Sequence, residues 1–109
     1  MPTPVILGEF EQLVLLAILS QSAGASALEV KHRLDDVLPR AVSRGALYKT
    51  LDRAERKGWV GWTLDGEDFP ERGGYPRRRF WVTPAGIRAL ADARSTLIRM
   101  WTGLEGVLS

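Results

Sequence analysis

Arginine and lysine concentrate in two short stretches of this 109-residue chain. Between Arg40 and Gly58 six basic residues (Arg40, Arg44, Lys49, Arg53, Arg56 and Lys57) stand against Asp52 and Glu55. In residues 71–79, Arg72, Arg77, Arg78 and Arg79 stand against Glu71 alone. Acids gather elsewhere, at Glu9/Glu11, Asp35/Asp36 and Asp65/Glu67/Asp68. The net charge is only +2, so the signal is one of placement, a localised face suited to a polyanion. On charge alone a solvated surface accounts for it equally well. Other chemistry is poorly supplied. The absence of cysteine removes disulfides, thiolate metal sites and thiol nucleophiles, and fits a reducing compartment. Glu29, His32 and Asp36 share one helix face at i, i+3 and i+7, but one histidine beside carboxylates on a single helix makes a poor transition-metal site. That face is taken as solvated. With no Gly-rich phosphate loop, catalytic triad or paired acid and base, no enzyme, cofactor or metal is expected.

The chain is sized for one domain, and its 45% apolar content supports a real core. The longest apolar run, Leu13–Leu19, is too short to cross a bilayer, and residues 1–8 lack the pattern of a signal peptide. A soluble, cytoplasmic protein is the expectation, with no membrane partner. Hydrophobic spacing then supplies the elements that must carry the basic segments. Phe10, Leu13, Val14, Ala17 and Ile18 mark a helix over residues 7–20, widened by Leu15, Leu16 and Leu19. Residues 21–25 read as a turn around Gly24. Ser26 and Glu29 form a capping box that starts a helix over 26–38, with Ala27, Val30, Leu34, Val37 and Leu38 inward and Pro39 as its stop. Ser43 caps a third helix over 43–57, ended by Gly58, with Leu47, Thr50, Leu51 and Ala54 inward.

Two β segments, residues 59–64 and 78–83, flank a Gly- and Pro-rich stretch and read as a hairpin. Thr83-Pro84 opens a last helix expected to run to about Leu108. The fold class is mainly α with a small β-hairpin: a winged helix-turn-helix over residues 1–83 with its wing at 59–83, followed by a terminal helix over 84–109. A 100° step per residue turns Gly45, Tyr48, Lys49, Asp52 and Arg56 outward on the third helix, with Arg44 at its start, where helix-turn-helix proteins touch base edges. Gly45 leaves room for close approach of DNA. The hairpin alternation puts Phe80 and Val82 inward and Arg79 and Trp81 outward. Arg72, Arg77, Arg78 and Arg79 then form a basic wing suited to phosphates. An amphipathic helix and a surface hairpin with scattered cations remain the plainer alternatives.

Ile87, Leu90, Arg94, Leu97, Trp101, Leu104 and Leu108 recur at alternating spacings of three and four, a heptad-type seam. A helix of roughly 25 residues, about 37 Å long at 1.5 Å per residue, exceeds what the small body covers. Pairing with a second copy explains it, as does packing back on the first helix, and both can hold.

The segment Gly45-Ala-Leu-Tyr-Lys-Thr-Leu-Asp-Arg-Ala-Glu-Arg-Lys-Gly-Trp-Val60, followed by Arg78-Arg-Phe-Trp-Val-Thr-Pro-Ala-Gly86, resembles the PadR-type transcriptional regulators, and Leu7–Gln12 also fits. Ala54 departs from the family's leucine, Phe80-Trp81 from its Tyr-Tyr pair, and Tyr75 stands where a basic residue is frequent. The resemblance implies a winged helix and a homodimer formed through N- and C-terminal dimerisation helices, here Phe10, Leu13, Ile87, Leu90, Leu97, Trp101, Leu104 and Leu108. It implies a repressor on a pseudo-palindromic operator in double-stranded DNA, with Arg44, Tyr48, Lys49 and Arg53 joining the four wing arginines as DNA contacts. It further implies a small aromatic or cationic effector held between subunits, for which Leu13, Leu16, Ala17, Leu97 and Trp101 are candidates. The rival expectation is a winged-helix interaction module whose basic face docks an acidic protein.

Overall fold

The computed structural model describes residues 7–65 and 77–109. Arg72, Tyr75 and the rest of the expected hairpin tip lie outside the described residues. The elements run α1 (Glu9–Leu19), β1 (Ala25–Ser26), α2 (Ala27–Val37), α3 (Arg44–Arg56), β2 (Val60–Asp65), β3 (Arg77–Val82) and α4 (Pro84–Trp101), with a final 3-10 turn at Glu105–Leu108. The strands form an antiparallel sheet in the order β1-β3-β2. Trp62 lies opposite Phe80 and Asp65 opposite Arg77. This is the winged helix-turn-helix expected, with each strand of the hairpin displaced by one residue.

The core sits where the three first helices meet the sheet. Val14, Leu15 and Ile18 of α1, Val30 and Leu34 of α2, Leu47, Leu51 and Ala54 of α3, Val60 of β2 and Phe80 of β3 are all buried. Burying each large apolar side chain contributes roughly 1.5–3 kcal/mol. Local signals start the helices at the expected places. Ser26 Oγ accepts from the Glu29 amide at 3.2 Å while Glu29 Oε1 accepts from the Ser26 amide at 3.0 Å. Ser43 Oγ accepts from the Ala46 amide. Gly58, at φ 78°, carries the chain out of α3 in a left-handed conformation that costs glycine little.

Four expectations need correction. The chain after Gly24 is not all turn: Ala25 and Ser26 pair with Phe80 and Arg79 as a third strand. Leu15, placed outside the main stripe of α1, lies fully in the core. Val37 is 59% exposed instead of inward, because α2 ends there and Leu38 already has extended backbone. The last helix stops at Trp101, with Gly103 at φ 87° beyond it. Leu104 and Leu108 therefore leave the helical seam, and only Ile87, Leu90, Arg94, Leu97 and Trp101 of the heptad stay on α4.

Candidate nucleic-acid interface

The buried side chains of α3 are Leu47, Thr50, Leu51 and Ala54. Helical geometry puts Gly45, Lys49, Asp52 and Arg56 at the centre of the opposite face, with Arg44 and Tyr48 on one flank and Arg53 on the other. All of these outward residues are exposed. A Cβ added to Gly45 would meet nothing within 4 Å, so no packing inside the chain requires glycine there. The connection that sets α3 against α2 is held by Asp35, whose Oδ1 accepts from the Val42 amide at 2.8 Å while Oδ2 accepts from Lys31 Nζ at 2.6 Å. These two hydrogen bonds, the Lys31 one first, lower the Asp35 pKa.

Beside α3 stands β3. The Arg78 guanidinium lies over the Trp62 ring, 4.5 Å from its centroid, with Nη1 3.9 Å from Asp52 Oδ1. It therefore bridges the wing to the outward face of α3. Arg77 is half-buried beside it. Arg79 is differently occupied: its Nε donates to Asp65 Oδ2 at 2.7 Å and its Nη1 to the Gly24 carbonyl at 3.2 Å, with Glu29 Oε1 3.9 Å away. That guanidinium ties β1 and the α2 N-terminus to the wing. Sequence spacing gave no hint of this, since Gly24 and Asp65 are remote along the chain.

Between α2, α3 and β3 lies an open groove of about 690 Å³ bordered by Leu28, Lys31, Arg44, Tyr48, Asp52, Arg77 and Arg78, with Leu47, Leu51 and Phe80 at its apolar base. Sequence reasoning missed it, because it depends on how far the hairpin stands from the helix. A smaller groove of about 330 Å³ includes Glu29, His32 and Arg79. Among the described residues no group of three potential metal ligands forms. Leu13, Leu16, Ala17, Leu97 and Trp101 border neither groove, and Ala17 is packed in the core of the chain.

The contact of α4 with the body is confined to its first half. Gly86 and Ala93 are buried, and Ala89 and Leu90 pack against the core. Beyond Ala93 the apolar side chains of the helix are uncovered: Leu97, Ile98, Met100 and Trp101 are exposed, as are Leu104, Val107 and Leu108 after it and Leu16 and Leu19 on α1. Phe10 and Leu13 are half-buried against the core. Thr83 fixes where α4 starts, donating from Oγ1 to the Gly58 carbonyl at 2.6 Å and accepting from the Gly86 amide.

No protein-family model and no curated protein matches the chain. Solved structures do. A PadR family transcription regulator from Clostridium difficile R20291 superposes with a TM-score of 0.75 at 17% identity, over 94% of this chain and 100% of that one. A PadR-like transcriptional regulator from Bacillus cereus gives 0.72 at 20% identity, over 92% and 91%. The chain has a PadR-like winged-helix fold. The PcaV transcriptional regulator from Streptomyces coelicolor, solved with its natural ligand, gives 0.71 at 19% identity, over 94% of this chain and 64% of that one. The PadR-like fold thus accounts for nearly the whole chain. Among the described residues no helix is long and apolar enough to cross a membrane.

Proposed function

We propose that this protein is a PadR-like transcriptional regulator, a repressor that binds a pseudo-palindromic operator as a homodimer. The observation that carries the reading is the outward face of α3. It is basic on both flanks, open at Gly45, and adjoined by a wing arginine held against it through Asp52 and Trp62. In this reading α3 enters the major groove, with Arg44, Tyr48 and Lys49 at base edges. Arg53, Arg77 and Arg78 meet phosphates, together with Arg72. Arg79 positions the wing through Asp65 and Gly24 instead of reaching for DNA. The uncovered apolar surface of α4 and α1 is the dimer contact, which sets the distance between two readers. The fold shared with PcaV, solved with its natural ligand, supports a response to a small molecule, which the proposal takes to be aromatic or cationic and held between subunits.

A gel-shift salt titration with DNA from the gene's own promoter region tests the DNA reading. Affinity is expected to fall steeply with salt, with a log–log slope of about −0.9 per phosphate contacted. Lys49→Ala with Arg78→Ala weakens binding at least tenfold, and the Arg78 change makes the slope shallower by about one contact. Gly45→Ala weakens binding too while leaving the thermal midpoint unchanged or raised, since alanine is the better helix former by up to about 1 kcal/mol. Binding indifferent to salt and to these changes would sink the proposal and leave the acidic-partner reading in its place.

A further inference from the structure

We infer that the groove between α2, α3 and β3 is a binding site for a small planar organic anion. Its volume of about 690 Å³ falls within the range of roughly 300–1,000 Å³ usual for small-molecule sites. Its walls divide by chemistry. Leu47, Leu51 and Phe80 supply an apolar base, Leu28 an exposed apolar border, and Tyr48 an aromatic edge. Lys31, Arg44, Arg77 and Arg78 supply four cations at the rim, against Asp52 as the acid there. Lys31 is closely paired with Asp35 at 2.6 Å, whereas Arg78 stands 3.9 Å from an exposed Asp52, so Arg44, Arg77 and Arg78 are the groups that meet the ligand. Guanidinium groups bind carboxylates and sulfonates through paired hydrogen bonds, and a flat apolar body gains by covering Leu28 and the base. The occupant is therefore an aromatic acid and not a neutral or cationic molecule. The site is separate from the residues expected to hold an effector between subunits.

Its position has a consequence, which rests on the DNA reading above although the binding itself does not. A molecule seated between α3 and β3 engages Arg44 and Arg78 from the side on which they would meet DNA. Occupancy and DNA binding then exclude one another, and linkage makes the antagonism reciprocal.

The test is a fluorescence titration of the full chain with 1-anilinonaphthalene-8-sulfonate, a planar aromatic sulfonate, in the absence of DNA. Saturable binding at one molecule per chain is expected. Leu28→Trp, which fills the groove without changing charge, and Arg44→Ala with Arg78→Ala should each weaken it at least tenfold. Leu97→Ser with Trp101→Ser should change it less than twofold. Binding that survives both groove variants but is lost with the α4 variant would overturn the proposal by placing the probe on the apolar surface of α4. Absence of saturable binding in a chain that still shifts DNA would also overturn it, and the groove would then be a trough for the sugar–phosphate backbone only. Saturable binding by a chain that fails to shift DNA would uphold the site and reject the DNA reading separately.

Discussion

The Asp35 carboxylate accepts hydrogen bonds from Lys31 on its own helix and from the Val42 amide across the connection to α3. Both favour the charged form, so its pKa falls below the ordinary 3.8, the Lys31 contact being the larger cause. A carboxyl depressed by folding stabilises the fold above its unfolded pKa, and that contribution is lost as pH falls through the lower folded value. Asp35→Asn should therefore lower the thermal midpoint near neutral pH. The gap to the parent should close as pH drops from about 4 toward the folded value; unfolding curves across that interval read it directly. Arg79 belongs to the same scale. Replacing it with alanine breaks a partly exposed ion pair and strips the Gly24 carbonyl of its side-chain donor. The expected loss is about 1–2 kcal/mol in urea unfolding. Arg79→Lys should recover only part of it, because one ammonium cannot reproduce the two directions of the guanidinium.

At the scale of elements, the start of α4 lies tightly against Trp59, just before β2, and Val82 at the end of β3. A Cβ on Gly86 would stand 2.3 Å from the Trp59 carbonyl oxygen and 2.6 Å from Val82 Cγ1. Gly86→Ala must push α4 away from the chain that Thr83 ties to it, at a cost of about 2–3 kcal/mol, measurable as a lower urea midpoint. The elements themselves were largely legible. The buried face of α3 follows from the period of Leu47, Thr50, Leu51 and Ala54, and the start of α2 from the Ser26–Glu29 spacing. β1 was not, because two residues carry no periodicity and their pairing depends on a strand more than fifty positions later. The end of α4 was misplaced because side-chain spacing continues through Gly103 while the backbone there turns left-handed. Charge singled out α3 and the hairpin as the candidate site, and the fold brings the two side by side through Arg78 and Asp52. Charge could not tell that Arg79 is engaged within the fold and Arg78 faces α3, since both lie in one run of arginines.

For the whole molecule the telling asymmetry is between the two halves of α4. The first half packs on the body through Gly86, Ala89, Leu90 and Ala93, while the second presents Leu97, Ile98, Met100 and Trp101 to solvent. A single small domain gains little stability from such a projection, and a second copy covering it would supply the missing burial. Light scattering on the eluted protein should give twice the chain mass for the parent and the chain mass for Leu97→Ser with Trp101→Ser. The monomeric variant should also bind a two-half-site operator at least tenfold more weakly, having lost the linkage between readers. Because Thr83 joins the start of α4 to the end of α3, the angle between the paired helices passes directly to the readers.

The brevity of β1 has one more effect. Its pairing with β3 stops at Arg79, so among the described residues the backbone of Arg77 and Arg78 has no strand beside it on that side. An open strand edge is a template for adding another molecule's backbone, and charged side chains are a common guard against it. The two arginines thus repel stray strands as well as meeting the proposed anion. Loss of their charge would tend toward aggregation, with growth from the edge of the wing.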